Sequence, residues 1–337
     1  MQNVKTTFLG LTLFLVMSVE GLAETVPEIS TDQQTAQVSL NTQLSENFDL
    51  QGHRGARGLA PENSLAGFAL ALELGVTTLE LDTGVTRDGA VVIHHDAYLN
   101  PDIARDDTGT WVKDKSLLIK EINYADLARF NIGKLNPGSK YAERFPDQKS
   151  ENFQAIPQLA DLFEMVKKTD NKTIRFNIET KINPTKPTDT VSPEVFVTQL
   201  LAEIDEHGMA DRVSIQSFDW RTLQLVQKRS PNIPTVYLTA QQKWLDNIAL
   251  GQMGTSGWTA GFDVDDFQGN IPRLIKAAGG TIWSPFHREV TEELLLDAHK
   301  EGLKVIPWTV NDPKDISALI DMGVDGIITD YPHLFKK

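Results

Sequence analysis

Short apolar runs alternate with amphipathic stretches along most of the chain. Apolar runs bounded by polar or turn-forming residues predict strands, and stretches with apolar residues three or four apart predict helices. The predicted strands are residues 48–53, 76–82, 90–95, 173–179, 212–217, 234–239, 281–285, 304–310 and 325–329. The predicted helices are residues 64–74, 157–168, 193–207, 219–229, 241–250, 271–278, 290–301 and 312–322. Strands that alternate with helices are typical of βαβ units, so the pattern predicts a parallel sheet.

The second and third predicted strands are too close in sequence to be parallel neighbours. Thr86-Arg87-Asp88-Gly89 lies between them as a turn, whereas a parallel connection needs about a dozen residues or more. Residues 90–95 are therefore expected to run antiparallel to residues 76–82, as a hairpin arm. Eight parallel strands remain, and they predict an α/β fold, a (β/α)8 TIM barrel. A doubly wound open sheet is the alternative, but no Gly-x-Gly-x-x-Gly follows any predicted strand.

Residues 97–155 interrupt the alternation. They contain several aromatic and acidic residues but have weak periodicity. A segment of this length without a strong period is usually functional or an inserted subdomain. We therefore expect one catalytic barrel domain over residues 48–335, with an insertion at about 97–155 packed over one end of the barrel.

The N-terminus has the layout of a secretory signal peptide. Lys5 precedes an apolar run over residues 8–17, and Gly21-Leu22-Ala23 supplies small residues for cleavage. The run is shorter than the ~20 residues of a membrane-spanning helix, so no stable membrane insertion is expected; an uncleaved anchor or a buried strand is the alternative. Residues 1–23 are thus a predicted signal peptide, and residues 24–47 a flexible lead-in. The expected location is periplasmic or otherwise exported.

The composition excludes several kinds of chemistry and partner. Lys and Arg total 32 against 46 Asp and Glu, a net charge of −14, so nucleic acid and an anionic membrane surface are poor partners. The absence of cysteine excludes disulfides, Cys-ligated zinc, iron–sulfur clusters and thiol nucleophiles. An exported protein without disulfides depends on its core, which suits the bacterial periplasm or surface. The composition does not predict an oligomeric state.

Acidic residues suited to a cation lie at the carboxyl ends of the predicted strands, where the active site of such a barrel is found. Glu80 and Asp82 are two residues apart on one strand, so they point to the same face. Glu179 ends the next parallel strand and shares a face with Lys181. Neighbouring carboxylates repel unless a cation lies between them, and an oxygen-only set predicts Ca²⁺ or Mg²⁺. Pairing of these acids with Lys or Arg at the barrel mouth is the alternative.

Histidine and arginine residues at two strand ends suit phosphate chemistry. His53-Arg54-Gly55 follows the first strand; arginine offers a bidentate fork for phosphate oxygens, and histidine exchanges protons near neutral pH. His94 and His95 end the hairpin arm, and strand parity alone leaves open which of them faces the site. A hydrogen-bonded structural role is the alternative for each histidine.

Two further motifs have structural and functional interpretations. Pro61-Glu62-Asn63-Ser64 precedes the first predicted helix, so Asn63 or Ser64 is expected to cap it, with Glu62 favouring its N-terminus. Trp308 is bulky for the end of a barrel strand. It is either part of the core or a wall for an apolar part of a substrate.

The motifs together resemble the glycerophosphodiester phosphodiesterases. The resemblance covers nearly all of residues 50–335, and the exported, insertion-bearing form is similar to the periplasmic branch of that family. The motifs are His53-Arg54-Gly55, Pro61-Glu62-Asn63-Ser64, Glu80-Leu81-Asp82, Thr86-Arg87-Asp88-Gly89, Val91-Val92-Ile93-His94-His95-Asp96, Ile156-Pro157, Glu179-Thr180-Lys181, Gln216-Ser217-Phe218, Trp308-Thr309-Val310-Asn311 and Gly326-Ile327-Ile328-Thr329-Asp330-Tyr331-Pro332.

The resemblance implies an activity and a role for each candidate residue. The implied reaction is the metal-dependent hydrolysis of a small-molecule glycerophosphodiester to sn-glycerol 3-phosphate and an alcohol. It implies that His53 and His95 are the general acid and base, which selects His95 over His94. The other implied roles are Glu80, Asp82 and Glu179 as ligands of Ca²⁺ or Mg²⁺, Arg54 as the phosphate contact, and Lys181 and Trp308 as site-lining residues.

Two other functions fit the same barrel. A lysophospholipase D or sphingomyelinase D would use the same head-group chemistry on lipid. A large exposed apolar patch on residues 97–155 would favour lipid, whereas a polar, narrow mouth would favour glycerophosphodiesters. A non-catalytic barrel that binds a ligand is the third possibility; such a barrel would be expected to lack at least one site residue, and none is missing.

Overall fold

The computed structural model describes residues 44–45 and 47–335. The predicted signal peptide and most of the predicted lead-in lie outside these residues, so both stay predictions. Among the residues that are described, no helix combines the length and the apolar character that a membrane crossing requires.

Strands and helices alternate over most of the chain, as predicted. The strands are β1 (Asp49–Gly52), β2 (Thr78–Val85), β3 (Val91–Ile93), β4 (Arg175–Thr180), β5 (Val213–Ser217), β6 (Thr235–Thr239), β7 (Gln241–Gln242), β8 (Leu245–Asp246), β9 (Ile282–Pro285), β10 (Lys304–Val305) and β11 (Gly326–Thr329). The α-helices are α1 (Leu65–Glu73), α2 (Tyr124–Leu127), α3 (Leu159–Lys167), α4 (Pro193–Glu206), α5 (Trp220–Arg229), α6 (Ile271–Ala277), α7 (Glu292–Lys300) and α8 (Pro313–Met322). Side chains of Ser, Asp, Asn or Thr cap most of the longer helices at their N-termini.

The parallel strands form a nearly closed barrel, which confirms the predicted fold class. Their order is β10-β9-β6-β5-β4-β2-β1-β11. The first and last strands of this order meet through backbone hydrogen bonds from Asp325 N to Val305 O (2.9 Å), Ile328 N to Pro307 O (3.0 Å) and Val310 N to Ile328 O (2.9 Å). We call residues 305–310 and 325–328 the closing seam. The strand predicted over 304–310 is short because Pro307 has no N–H to donate to a ladder.

The third strand is the predicted hairpin arm. β3 pairs antiparallel with β2, with Thr83 opposite Ile93 and Val85 opposite Val91. The turn between them is closed by a hydrogen bond from Gly89 N to Thr86 O at 3.1 Å. Gly89 has a φ of 86°, a left-handed conformation that favours glycine. The arm runs back along β2 and brings the adjacent histidines to the level of Asp82, because His94 N donates to Asp82 O at 3.0 Å.

The helix predicted over 241–250 is wrong, because this segment forms the antiparallel hairpin β7–β8. Asn247 is fully buried, and its Oδ1 accepts a hydrogen bond from Ala240 N at 2.9 Å. Glu289 Oε1 accepts another from Gln241 N at 2.7 Å. Side chains therefore satisfy backbone groups that a helix would pair internally. The crossover to β9 is made by α6 alone.

Residues 97–155 have a small apolar core of their own, which is continuous with the hairpin arm. Its buried members are Val92, Leu99, Ile103, Ala104, Ile119, Leu127, Ile132 and Ile156. The segment also contacts the loop after β1, through hydrogen bonds from Gln148 Nε2 to Arg57 O (2.7 Å) and from Lys149 N to Leu59 O (2.9 Å). It thus packs beside the carboxyl end of β1; the domain boundaries themselves stay a prediction.

Candidate active site

The residues predicted for the site lie together at the carboxyl end of the parallel strands. A cavity of about 1130 Å³ opens there. Its lining includes His53, Arg54, Glu80, His95, Glu179, Lys181 and Trp308. Asp82 is buried beside them, in the same group of carboxylates.

Three buried carboxylates form the acidic cluster predicted from the sequence. Glu80 and Asp82 lie on β2, and the register of β2 with β4 places Glu179 next to Asp82. One carboxylate oxygen from each of the three lies within 4.8 Å of the others. Burial raises the pKa of Glu179 to about 7, and burial together with Asp82 raises the pKa of Glu80 well above its usual value. Such crowded oxygen donors suit a hard divalent cation.

Two basic side chains flank this cluster. Lys181 Nζ lies 2.8 Å from Glu179 Oε1 and 3.6 Å from Asp82 Oδ1. Arg54 Nε lies 3.1 Å from Asp82 Oδ2, and Arg54 Nη1 donates to Glu62 Oε1 at 2.9 Å. Burial acts to raise the pKa of Asp82, but Arg54 holds it well below its usual value. When all four are ionised, the carboxylates of Glu62, Glu80, Asp82 and Glu179 outnumber the two basic side chains by two negative charges, which a divalent cation would neutralise.

The loop after β1 positions Arg54 by an unusual backbone conformation. Arg54 has a φ of 51°, and Gly55 follows with a φ of 88°. The Arg54 N–H donates to Glu80 Oε2 at 2.8 Å. Asn63, at a φ of 52°, donates from Nδ2 to Asp82 Oδ2 at 2.9 Å. Positive φ is uncommon outside glycine and concentrates at functional sites. Here the strained backbone conformation directs the Arg54 N–H and the Asn63 amide toward the acidic cluster.

His53 is oriented by Asp330. Its Nδ1 lies 2.7 Å from Asp330 Oδ1, and its Nε2 lies 3.9 Å from Glu80 Oε2. Burial lowers the pKa of His53 to about 4, with Arg57 acting in the same direction and Asp330 against it. A neutral imidazole next to an ionised carboxylate carries its proton on Nδ1. The Nε2 lone pair is therefore available to accept a proton near the acidic cluster.

Residues 97–155 contribute a tyrosine and a phenylalanine that hold two charged pairs in place. Arg57 donates to Asp330 from Nε (2.7 Å) and from Nη2 (3.0 Å). The guanidinium of Arg57 also lies 4.6 Å from the ring centroid of Phe145, and its Nη1 donates to the Tyr141 hydroxyl at 3.2 Å. The same hydroxyl donates to Glu62, the partner of Arg54. The 97–155 segment thus contacts the groups that support His53 and Arg54.

The two histidines of the hairpin arm have different surroundings. His95 lies in the cavity lining, where its Nδ1 is 3.1 Å from Asp96 Oδ1. His94 is 1% exposed and its Nε2 is 3.0 Å from the backbone oxygen of Tyr98. The structure therefore brings His95 into the cavity and leaves His94 bonded to the backbone.

Trp308 lies in the cavity lining among other aromatic side chains. Its Nε1 donates to Ser284 O at 3.0 Å, which fixes the indole. The ring centroids of Phe218, Phe286 and Trp244 lie 5.3, 5.8 and 6.0 Å from that of Trp308. We call these four residues the aromatic wall. Trp308 thus lines the cavity, and its contact with an apolar part of a substrate stays a prediction.

Sequence reasoning missed several residues of the site. Glu62 was expected to favour the N-terminus of α1, but it is 3% exposed and pairs with Arg54 and Tyr141. The cap is Ser64, whose Oγ accepts from Gly67 N at 3.0 Å. Asp330 stood at a strand end, which was a usable signal, whereas no local pattern marked Tyr141.

Comparison with known proteins places the chain in a class. Histidines, an arginine and an oxygen-only carboxylate cluster at the mouth of a parallel barrel are features of a barrel-type phosphodiesterase. The model of the glycerophosphoryl diester phosphodiesterase family matches residues 53–334. The chain belongs to this family and is an enzyme of the phosphodiesterase class.

Individual relatives agree with this assignment. A glycerophosphodiester phosphodiesterase of Caldanaerobacter subterraneus is 30% identical over 286 residues, which are 83% of this chain and 93% of the relative. A solved structure from Silicibacter pomeroyi, provisionally described as a glycerophosphoryl diester phosphodiesterase, is 31% identical with a TM-score of 0.75 and covers 89% of this chain and 95% of its own. A phosphodiesterase of Oleispira antarctica, solved with sn-glycerol-3-phosphate, shares the fold at 21% identity and a TM-score of 0.61, covering 87% and 95%.

Proposed function

We propose that this enzyme hydrolyses glycerophosphodiesters to sn-glycerol 3-phosphate and an alcohol. We propose that it uses a divalent cation, Ca²⁺ or Mg²⁺, held by Glu80, Asp82 and Glu179. The observation that carries the proposal is this buried cluster of three carboxylates within 4.8 Å, next to Arg54 and His53. The Oleispira antarctica structure with sn-glycerol-3-phosphate supports the choice of product.

The acidic cluster, with its bound cation, and the neighbouring basic side chains would bind the phosphoryl group of the substrate. A bound cation supplies Lewis-acid stabilisation of phosphoryl oxygens. Arg54 adds a fixed positive charge, because it is buried and held by Asp82 and Glu62. Lys181 adds a second positive charge beside Glu179. Fixed charges of this kind, aimed at oxygens that gain charge in the transition state, supply much of the catalysis of phosphoryl transfer.

His53 and His95 would carry the proton transfers. The Nδ1 of each is hydrogen-bonded to a carboxylate, Asp330 for His53 and Asp96 for His95. This pairing leaves Nε2 of each imidazole free for substrate or water, and it stabilises the imidazolium that forms on proton uptake. One histidine accepts a proton from the attacking hydroxyl or water, and the other protonates the leaving alkoxide. Each such transfer contributes about 10²- to 10⁴-fold to the rate.

The side chains that residues 97–155 give to the cavity favour a small polar substrate over a lipid. These side chains include Tyr98, Asn100, Asp102, Lys115 and Arg144. They carry charges or hydrogen-bonding groups, whereas a lipid-binding mouth would be apolar on this side. A lysophospholipase D or sphingomyelinase D activity is therefore the second candidate.

We also propose that the enzyme is exported after removal of residues 1–23, with residues 48–335 as its barrel domain and residues 97–155 as an insertion. The basis is the N-terminal charge and apolar pattern. Sequencing the N-terminus of the enzyme from a periplasmic extract tests this. Recovery of the intact N-terminus in the cytoplasmic fraction would contradict it.

The activity is tested with a substrate panel and matched histidine variants. Product release is measured on glycerophosphocholine, glycerophosphoethanolamine, lysophosphatidylcholine and sphingomyelin, after chelation and after return of Ca²⁺ or Mg²⁺. We expect turnover of the glycerophosphodiesters that requires the cation. His53→Ala and His95→Ala should each lose about 10²-fold or more. The control is His299→Ala, because His299 also bonds a carboxylate, that of Asp325, but lies outside the cavity lining.

Two outcomes would contradict the proposal. Full activity in chelator would remove the role given to the three carboxylates. Full activity in either His53→Ala or His95→Ala would remove the acid–base assignment of that residue.

A further inference from the structure

Trp244 is unusually exposed for a residue of its type. It lies in the turn between β7 and β8, and 60% of its surface is exposed. It also belongs to the lining of the cavity. Large aromatic side chains that remain exposed beside a cavity are typical of binding surfaces.

The packing of the aromatic wall holds Trp244 in position. The ring centroid of Trp244 lies 5.6 Å from that of Phe286 and 6.0 Å from that of Trp308, and both pairs pack edge to face. The hairpin below it is anchored by Glu289, which accepts from Gln241 N and from Gln242 Nε2 at 2.7 Å each. The exposed ring is therefore held by neighbours on two sides.

The aromatic wall extends from the acidic cluster to the cavity mouth. At its inner end, the Phe218 ring centroid lies 5.9 Å from Lys181 Nζ, which itself lies 2.8 Å from Glu179. Phe218 contacts Trp308, and Trp308 contacts the exposed Trp244. A diester whose phosphate lies at the acidic cluster would thus have one of its two alcohol groups along this wall.

The chemistry of the wall selects the kind of alcohol. Ring faces attract cations but accept hydrogen bonds poorly, and the Trp308 N–H is already used by Ser284. A quaternary ammonium has no N–H to donate, so contact with ring faces satisfies it fully. A primary ammonium or a glycerol hydroxyl would lose hydrogen bonds to water at the same surface. The overall charge of −14 also favours a cationic end.

We infer that the aromatic wall, with Trp244 at its outer end, binds the leaving alcohol of the diester and selects one that carries a quaternary ammonium, as in glycerophosphocholine. The inference rests on the proposed function, because it assumes that the phosphate lies at the acidic cluster. An acyl chain is the competing occupant of an apolar wall, and the experiment separates the two.

The test compares two substrates that differ only in the methylation of nitrogen. kcat and KM are measured for glycerophosphocholine and glycerophosphoethanolamine, with the enzyme purified in its exported form and supplied with its cation. The wild type should prefer glycerophosphocholine. Trp244→Ala should lower that preference by about 3- to 30-fold, the factor expected for a cation–π contact, mainly through KM. Trp244→Phe should retain most of it. Phe153→Ala is the control, because Phe153 is 55% exposed but outside the cavity lining.

Each other outcome has a defined meaning. Equal kcat/KM for the two substrates in the wild type, or a ratio unchanged by Trp244→Ala, would overturn the inference and leave the proposed function intact. A loss in Trp244→Ala that is larger for lysophosphatidylcholine than for glycerophosphocholine would assign the wall to an acyl chain and also overturn it. Failure of the wild type to hydrolyse either glycerophosphodiester would overturn the proposed function itself.

Discussion

Replacement of Asp330 by Asn should impair both the fold and the proposed catalysis. The Asp330 carboxylate is 1% exposed and accepts hydrogen bonds from His53 Nδ1 (2.7 Å), from Arg57 Nε and Nη2 (2.7 and 3.0 Å) and from Asn311 Nδ2 (2.7 Å). Asn has nearly the same shape, but it removes the charge and turns one acceptor into a donor. That donor would face other donors.

The expected magnitudes follow from burial and from the role of His53. Arg57 is 6% exposed, and a buried charge that loses its partner destabilises a fold by about 3–5 kcal/mol. His53 would lose the acceptor that holds its proton on Nδ1, so the proton can move to Nε2, where it blocks proton uptake. Loss of such an orienting carboxylate lowers kcat by about 10²- to 10⁴-fold.

The assay combines urea unfolding with kcat for glycerophosphocholine, measured at a temperature at which circular dichroism shows the variant to be folded. Glu164→Gln is the matched control, because Glu164 also bonds a histidine, at 3.0 Å from His207 Nδ1, but its side chain is 48% exposed and lies outside the cavity lining. This exposed pair should leave urea unfolding and kcat close to those of the wild type. A folded Asp330→Asn enzyme with wild-type kcat would refute the view that Asp330 sets the tautomer of His53.

The acidic cluster, His53 and Tyr141 give three further expectations. Cation should raise wild-type stability by about 2.7 kcal/mol at 100 times its Kd, seen as a higher Tm; Glu80→Gln should abolish the rise, and an equal rise in that variant would contradict the ligand set. Burial lowers the pKa of His53 from 6.5 to about 4. Between these two pH values His53 is protonated in the unfolded chain but neutral in the folded chain. Stability should fall by about 3 kcal/mol between pH 6.5 and 4, and urea unfolding of His53→Gln should lack this component. Tyr141→Phe should lose about 1–3 kcal/mol in urea, because buried Arg57 and Glu62 lose a shared partner; wild-type stability would contradict this.

The parts of the fold and site that the sequence predicts depend on local patterns. In β2, Leu79 and Leu81 are fully buried, and Glu80 and Asp82 alternate with them toward the acidic cluster. A period of two residues shows this alternation without any tertiary information. The carboxyl ends of parallel strands meet at one end of a barrel. The sequence therefore predicts that the polar side chains at these strand ends lie close together.

The parts that the sequence does not predict depend on contacts between distant segments. Tyr141 meets Glu62 and Arg57 across 79 and 84 residues of chain, and no local pattern encodes such a pair. The hairpin β7–β8 has apolar spacing that also suits a helix. The hairpin is favoured by Asn247, whose side chain bonds Ala240 N, and by Glu289, which bonds Gln241 N across 48 residues of chain.

The closing seam has a consequence for how the enzyme opens. A continuous series of backbone hydrogen bonds between strands resists local opening. A segment with fewer such hydrogen bonds opens at a lower free energy. The seam is such a segment, because Pro307 interrupts it. One side of the seam contains Trp308 of the aromatic wall, and the other side ends two residues before Asp330, the support of His53. We therefore expect that any opening of the barrel at the closing seam changes the distance between Trp308, which would bind the alcohol, and Asp330, which orients His53. Substrate entry and catalytic alignment would then depend on the same backbone contacts.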